Sequence, residues 1–162
     1  MTCSIRRLNP ITDTPLFAET YRWLMEGPEW RRETEAVFGT LNRSEFLAGP
    51  SMPGRCDIGI FDNKKFIANV ILTICGRGVF EVHFEACREA DPVVIVDAGQ
   101  DIRDILFGRY GAERVITWTP KWNRTVLSIN RAIGFRPNNV SMLYGKYRSR
   151  PIEWVQYSLR KS

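Results

Sequence analysis

The sequence predicts an α/β fold of the mixed α+β kind: a mostly antiparallel central sheet flanked by helices. Three observations carry this. Apolar residues recur at helical spacing up to Leu41 and at strand spacing from Cys56 to Ala86. Helical spacing returns in "DPVVIVDAGQDIRDILFGRYG", ahead of an isolated strand, "ERVITWTP". The chain then runs through a capped helix, "WNRTVLSINRAIGF", into two further strand-like runs.

Taken in order, "TCSIRRL" forms a short strand. "TPLFAETYRWLMEG" follows as a helix, with Thr14 at the N-cap, Pro15 at the first helical position, and Phe17, Tyr21, Leu24 and Met25 on one face. A second helix covers "WRRETEAVFGTL", where Val37, Phe38 and Leu41 recur. "AGPSMPGR", Ala48 to Arg55, reads as an exposed connection because Gly, Pro and Ser disfavour regular structure. Two apolar runs joined at "DNKK", and a third from Val79, make an antiparallel meander. In the next segment Ile95, Ala98, Ile102, Ile105 and Leu106 fit one helical face, although "VVIVDAG" alone also suits a buried strand. In the helix after "ERVITWTP", Asn123 caps the start, Val126, Ile129 and Ile133 form the core stripe, and Gly134 makes the closing turn against which Phe135 packs. "SMLYGKYR" and "PIEWVQYSL" close the chain as two strands. No repeat or change of composition marks a boundary, so residues 1–162 are expected to form one domain.

Composition narrows the function. Of 162 residues, 44% are hydrophobic and 12% aromatic, enough for a real core. Lys and Arg number 23 against 18 Asp and Glu, and the formal charge of +5 leans toward acidic partners such as phosphates, coenzymes or nucleic acid. Cys3, Cys56, Cys75 and Cys87 include no CxxC pair, and His83 is the one histidine, so no metal site is expected. "MTCSIRRLNP" lacks an apolar leader segment, and no run approaches the roughly 20 apolar residues of a membrane span. Free thiols and a cytoplasmic location without membrane association are the expectation.

The element order and the spacing N-x6-N-x3-G-F, from Asn123 to Phe135, resemble the GNAT superfamily of N-acetyltransferases. Small phage-encoded members are the nearest likeness, through His83 on the central strand and the Pro-x-x-Asn turn in "TPKWN". The specific match covers about the last 60 residues; the rest agrees in element order alone.

The resemblance implies acetyl-CoA as co-substrate and an amine as acceptor. "VFEVHFEA" and "VITWT" would be the two diverging strands that receive the pantetheine arm, and a helix mouth would hold the pyrophosphate. The coenzyme-binding positions it implies are Phe84, Glu85, Ala86, Arg88, Asp91, Val93, Val94, Asn123 and Asn130. Candidate proton-handling residues are His83, Glu85, Glu81 and Tyr144. Strand alternation puts Glu81, His83 and Glu85 on one face, with Phe80, Val82 and Phe84 on the other, and two flanking carboxylates would raise the pKa of His83. A hydrogen-bonded core or interface histidine is the competing use of His83.

Two departures stand out. The family's glycine-containing phosphate signature is replaced by "CREADPVVIV", which sets Asp91 and Pro92 near the family's Arg and Gly. Arg88 and Arg103 could compensate in charge; Asp91 and Pro92 also read as an N-cap and a first helical residue. Asn130 stands where many relatives carry a tyrosine that protonates the leaving thiolate, and an amide cannot do so; Tyr144 is a replacement candidate. Trp23, Trp30, Trp118, Trp122 and Trp154 could line an acceptor groove, stack on bases, or pack in the core and at its rim.

Three functions follow from this reading: an acyl-CoA-dependent N-acetyltransferase of unknown acceptor; a catalytically degenerate GNAT-fold phage protein serving assembly or interaction, with a protein partner or the virion as its setting; and a nucleic-acid-modifying acyltransferase.

Overall fold

A computed structural model describes residues 3–31 and 42–161. The elements are β1 (Cys3–Arg7), α1 (Thr14–Glu26), α2 (Arg43–Ala48), a 3-10 turn (Gly49–Ser51), β2 (Arg55–Asp62), β3 (Lys65–Gly76), β4 (Val79–Ala86), α3 (Pro92–Gly108), β5 (Arg114–Pro120), α4 (Arg124–Ile133), β6 (Arg136–Tyr147) and β7 (Arg150–Arg160). The helix expected over "WRRETEAVFGTL" lies, from Arg32 on, outside the described residues.

The strands form a seven-stranded sheet in the order β1-β2-β3-β4-β5-β7-β6. All neighbours are antiparallel except β4 and β5. The β2–β3 hairpin turns on Asn63 and Lys64, at φ 46° and 70°, the left-handed pair that matches the twist of a two-residue hairpin. Helices cover both faces. α3 and α4 lay Ile95, Ala98, Ile102, Leu106 and Ile133 over Ile58, Ile60, Val70, Leu72, Val115 and Leu159; burial of such side chains stabilises by about 1.5–3 kcal/mol each. Gly99 lets α3 and α4 approach, since a Cβ there would sit 2.4 Å from Cδ1 of Ile133. On the other face α1 buries Phe17, Thr20, Trp23 and Leu24, and Trp23 stacks on Phe66 with ring centroids 5.0 Å apart.

Several expectations are corrected. Asp13, not Thr14, precedes α1, and its carboxylate turns back to accept from Arg6 at 2.8 Å and from the Asn9 N–H. The Arg6 hydrogen bond holds the Asp13 pKa down at about 2. Thr20 and Trp23 replace Tyr21 and Met25 on the buried face, because the helix seats its stripe one position round. "AGPSMPGR" is an exposed connection from Ser51 to Gly54, but its first residues continue from α2 into the 3-10 turn, where Gly49 and Pro50 are buried. In α4 the stripe is Leu127, Asn130 and Ile133, with Val126 and Ile129 at its margins. β6 starts at Arg136, earlier than the expected strand, and only partly pairs with β7 between Pro137 and Ser141. "VVIVDAG" is helical, with Asp91 as N-cap and Pro92 in the first turn, as the helical reading expects.

A cleft where two parallel strands part

β4 and β5 pair at Val79 with Arg114, Phe80 with Val115 and Glu81 with Ile116, and then separate. Each keeps its other neighbour: β4 stays on β3 as far as Ala86, and β5 stays on β7 as far as Pro120. Backbone groups beyond Glu81 and Ile116 therefore face each other without a ladder, as obligatory donors and acceptors. The gap between them is a cleft lined by His83, Phe84, Thr117, Trp118, Thr119 and Asn123, with Trp30, Arg31 and Trp154 at its walls. Trp30 and Trp122 meet edge to face, centroids 5.7 Å apart, which ties the chain after α1 to the β5–α4 turn.

Glu85 anchors one wall. Only 2% exposed, its carboxylate accepts from His83 Nε2 at 2.8 Å and from Arg31 Nη1 at 2.7 Å. Burial pushes the carboxyl pKa up, but the His83 hydrogen bond and the Arg31 charge outweigh it and hold the group below the ordinary glutamate range. Asn69 of β3 is its cross-strand neighbour. The His83 side chain is 42% exposed, lines the cleft and is hydrogen-bonded to Glu85. Glu81 shares the face but sits where β4 and β5 are still paired, and its carboxylate lies 4.0 Å from Cys75 Sγ.

The remaining candidates are dispersed. Tyr144 is on edge strand β6, beyond β5 and β7, and is not among the residues that line the cleft; its carbonyl accepts from the Trp154 indole N–H at 3.0 Å. Asn130 is buried and donates to Thr119 Oγ1 at 3.2 Å, tying α4 to β5. Asn123 lines the cleft and also caps α4 through the Val126 N–H, so capping and cleft placement coexist. Ala86 ends β4 and lines, with Arg31 and Arg88, a separate surface groove. Val94 is buried in the core, whereas Val93 is 64% exposed.

The α3 tip is poorly suited to phosphate. Pro92 has no N–H, and Asp91 already accepts from the Val93 N–H at 2.9 Å. A further phosphate would meet a carboxylate where a helix mouth normally offers free donors. Arg103 does not compensate: it donates to the Ile133 carbonyl and to Asp104, well along α3. Among the described residues no cluster could hold a metal ion, and no helix is long and apolar enough to cross a membrane.

Arg31 was not singled out from the sequence, and Trp30, Trp118 and Trp154, which line the cleft, were offered there only as one use of the five tryptophans among several. Arg31 stands 54 positions from Glu85, and no local pattern joins residues so far apart. Trp118 and Trp154 alternate onto the His83 face through paired strands, a relation that appears only once the β5–β7 register is fixed.

Comparison with protein-family models and with curated proteins finds no match. Solved structures do match along essentially the whole chain. A probable acetyltransferase from Staphylococcus epidermidis superposes with a TM-score of 0.77 at 13% identity, covering 99% of this chain and 100% of that one. A spermidine N-acetyltransferase chimera from Vibrio cholerae and hSSAT gives 0.76 at 12% identity, covering 99% and 96%. The ribosomal-protein-S18-alanine N-acetyltransferase from Escherichia coli gives 0.73 at 13% identity, covering 99% and 95%. Likeness at these identities establishes the fold, which is that of the GNAT acetyltransferases.

Proposed function

We propose that this protein transfers an acetyl or related acyl group from acyl-CoA to the amine of an acceptor. The separation of β4 and β5 beyond Glu81 and Ile116 carries the reading, because it sets unpaired backbone groups and a partly exposed histidine along one cleft. The fit to the coenzyme is good in the cleft and poor at the α3 tip. Backbone groups of β4 and β5 would hold the amide-bearing arm, and Asn123 would stand at its entrance.

The thioester supplies an activated acyl carbon when bound. An incoming amine must lose a proton to attack it, and His83 is the group that takes it. With Glu85 ionised, the shared proton lies on Nε2, so the basic nitrogen of the neutral ring is Nδ1. Glu85 fixes the ring and stabilises its charged form; Arg31 keeps Glu85 ionised. Glu81, farther down the strand, contributes negative potential rather than contact. Protonation of the thiolate falls to solvent, since Tyr144 does not line the cleft.

Calorimetric titration with acetyl-CoA is the direct test. Micromolar binding, followed by release of free thiol when an amine panel is added, is the expected result. Absence of heat at millimolar coenzyme would remove the proposal.

The capped α3 tip and the buried Asn130 favour a second reading: a catalytically silent relative, of the phage-encoded type, that binds a protein partner or a virion component. Co-purification of such a partner, together with intact folding and no acyl transfer, would establish it.

A further inference from the structure

If the α3 tip is closed to phosphate, an acyl-CoA needs its nucleotide end held elsewhere. α4 separates two concavities at its first turn. Asn123 and Val126 face the cleft, while Arg124 and Leu127 face an open groove between α4 and the β6–β7 hairpin. Lys121, Arg124 and Arg131 line that groove, and Asn139, Ser141 and Gln156 add polar groups to its opposite wall.

The three cations differ in readiness. Arg124 is exposed, and its guanidinium has no partner among the described residues. Arg131 is pre-set: Nη2 donates to the Tyr157 hydroxyl at 2.9 Å, and the guanidinium carbon lies 5.7 Å from the centre of that ring. Lys121 is paired with Glu153 at 3.0 Å, but both side chains are largely exposed, and such a pair is easily exchanged for another anion. Glu153 is the one carboxylate paired with these cations among the described residues. Arg124 and Arg131 are two helical turns apart, about 10 Å along the axis, which long side chains can adapt to phosphates on either side of one ribose.

We propose that this groove, and not the α3 tip, takes the phosphates of the coenzyme's 3′-phosphorylated ADP end. The inference rests on the acyl-CoA reading and names where its anionic half lies. Guanidinium groups suit the role because they donate in a planar fork matched to phosphate oxygens. The shared first turn of α4 lets one ligand run from the cleft, past Asn123, into the groove.

The test is calorimetry with three probes: coenzyme A, adenosine 3′,5′-bisphosphate, which lacks the arm, and pantetheine, which lacks the nucleoside and all phosphates. Arg124→Glu, at a partnerless surface side chain, and Lys121→Ala are the variants, each checked for unchanged thermal unfolding. Arg124→Glu is expected to weaken coenzyme A and the bisphosphate tenfold or more and to leave pantetheine within about twofold. Asp91→Asn, which removes charge at the α3 tip, is expected to change coenzyme A affinity less than twofold. Unaltered coenzyme A binding by Arg124→Glu overturns the groove assignment while leaving the acyl-CoA reading intact, as does a tenfold gain from Asp91→Asn. Arg124-dependent binding of the bisphosphate without any binding of coenzyme A or pantetheine shows an anion site but overturns its assignment to the coenzyme and removes the acyltransferase. A DNA duplex that displaces the bisphosphate at lower concentration than coenzyme A does would reassign the groove to nucleic acid and sink the proposal.

Discussion

At Glu85, burial and ionisation pull in opposite directions. The carboxylate is inside the protein, where charge is costly, yet two cationic or proton-donating partners hold its pKa below the ordinary value. His83, Arg31 and the cross-strand amide of Asn69 are the groups that face it. A depressed folded-state pKa gives stability that is fully present above the unfolded value, about 4.3, and is lost as pH falls through the folded value. Thermal unfolding should therefore be insensitive to this group from pH 7 to 5 and should drop in more acid solution. Glu85→Gln should flatten that acid limb and, by stranding Arg31, cost about 2–3 kcal/mol at neutral pH, less than a wholly buried pair because Arg31 is partly solvated. A variant with an unchanged acid limb would show that the cluster is not ionised as described. In turnover assays His83→Ala should lower kcat by about 10²–10⁴, with KM for acetyl-CoA little changed. A loss under twofold would move the base elsewhere.

Between elements, the tightest junction is α3 against α4 at Gly99. Gly99→Val would drive a side chain into Ile133, at a cost of about 1–3 kcal/mol; the midpoint of urea unfolding reads it directly, and an unchanged midpoint would mean that Ile133 can turn aside. The same pair marks the limit of legibility. The helical period of α3 and the cap and exit glycine of α4 are written in the sequence, because helix signals are local. For that reason the expected α3 stripe was legible at Ile95, Ala98, Ile102 and Leu106, which are buried, whereas Ile105 is only half-buried at its margin and Val94 is added by the structure. What faces Gly99 across the junction is not local and was not legible. α1 shows a milder form: the helix was legible, but Thr20 was passed over as core because its hydroxyl is satisfied by the Leu16 carbonyl of the same helix, a bond that makes a polar residue cheap to bury. At the cleft, β4 alternation was legible and gave His83 and Glu85 a common face, whereas Arg31 was not.

For the molecule as a whole, the parting of β4 from β5 predicts uneven amide protection. Hydrogen exchange at the β4–β5 pairs from Val79 to Glu81 and Arg114 to Ile116 should be slow. Amides beyond them that point into the cleft should exchange about tenfold faster or more, and added acetyl-CoA should slow those amides first. Uniform protection along both strands would mean that the cleft closes in solution. The basic groove makes an independent demand, since its occupation should leave the strand amides unaffected while protecting the first turn of α4.

That same seam divides the chain cleanly in two. β1 to β4, α1 and α3 all precede the left-handed turn at Gly111, and β5, α4, β6 and β7 all follow it. Each portion keeps its own antiparallel ladder, and the short parallel junction, the packing of α3 on α4 and on Val115 and Leu159, and the Trp30–Trp122 contact join them. A nick at Gly111 would thus yield two fragments suited to reassembly without a covalent link, and a cargo wedged in the seam would act as mortar between them.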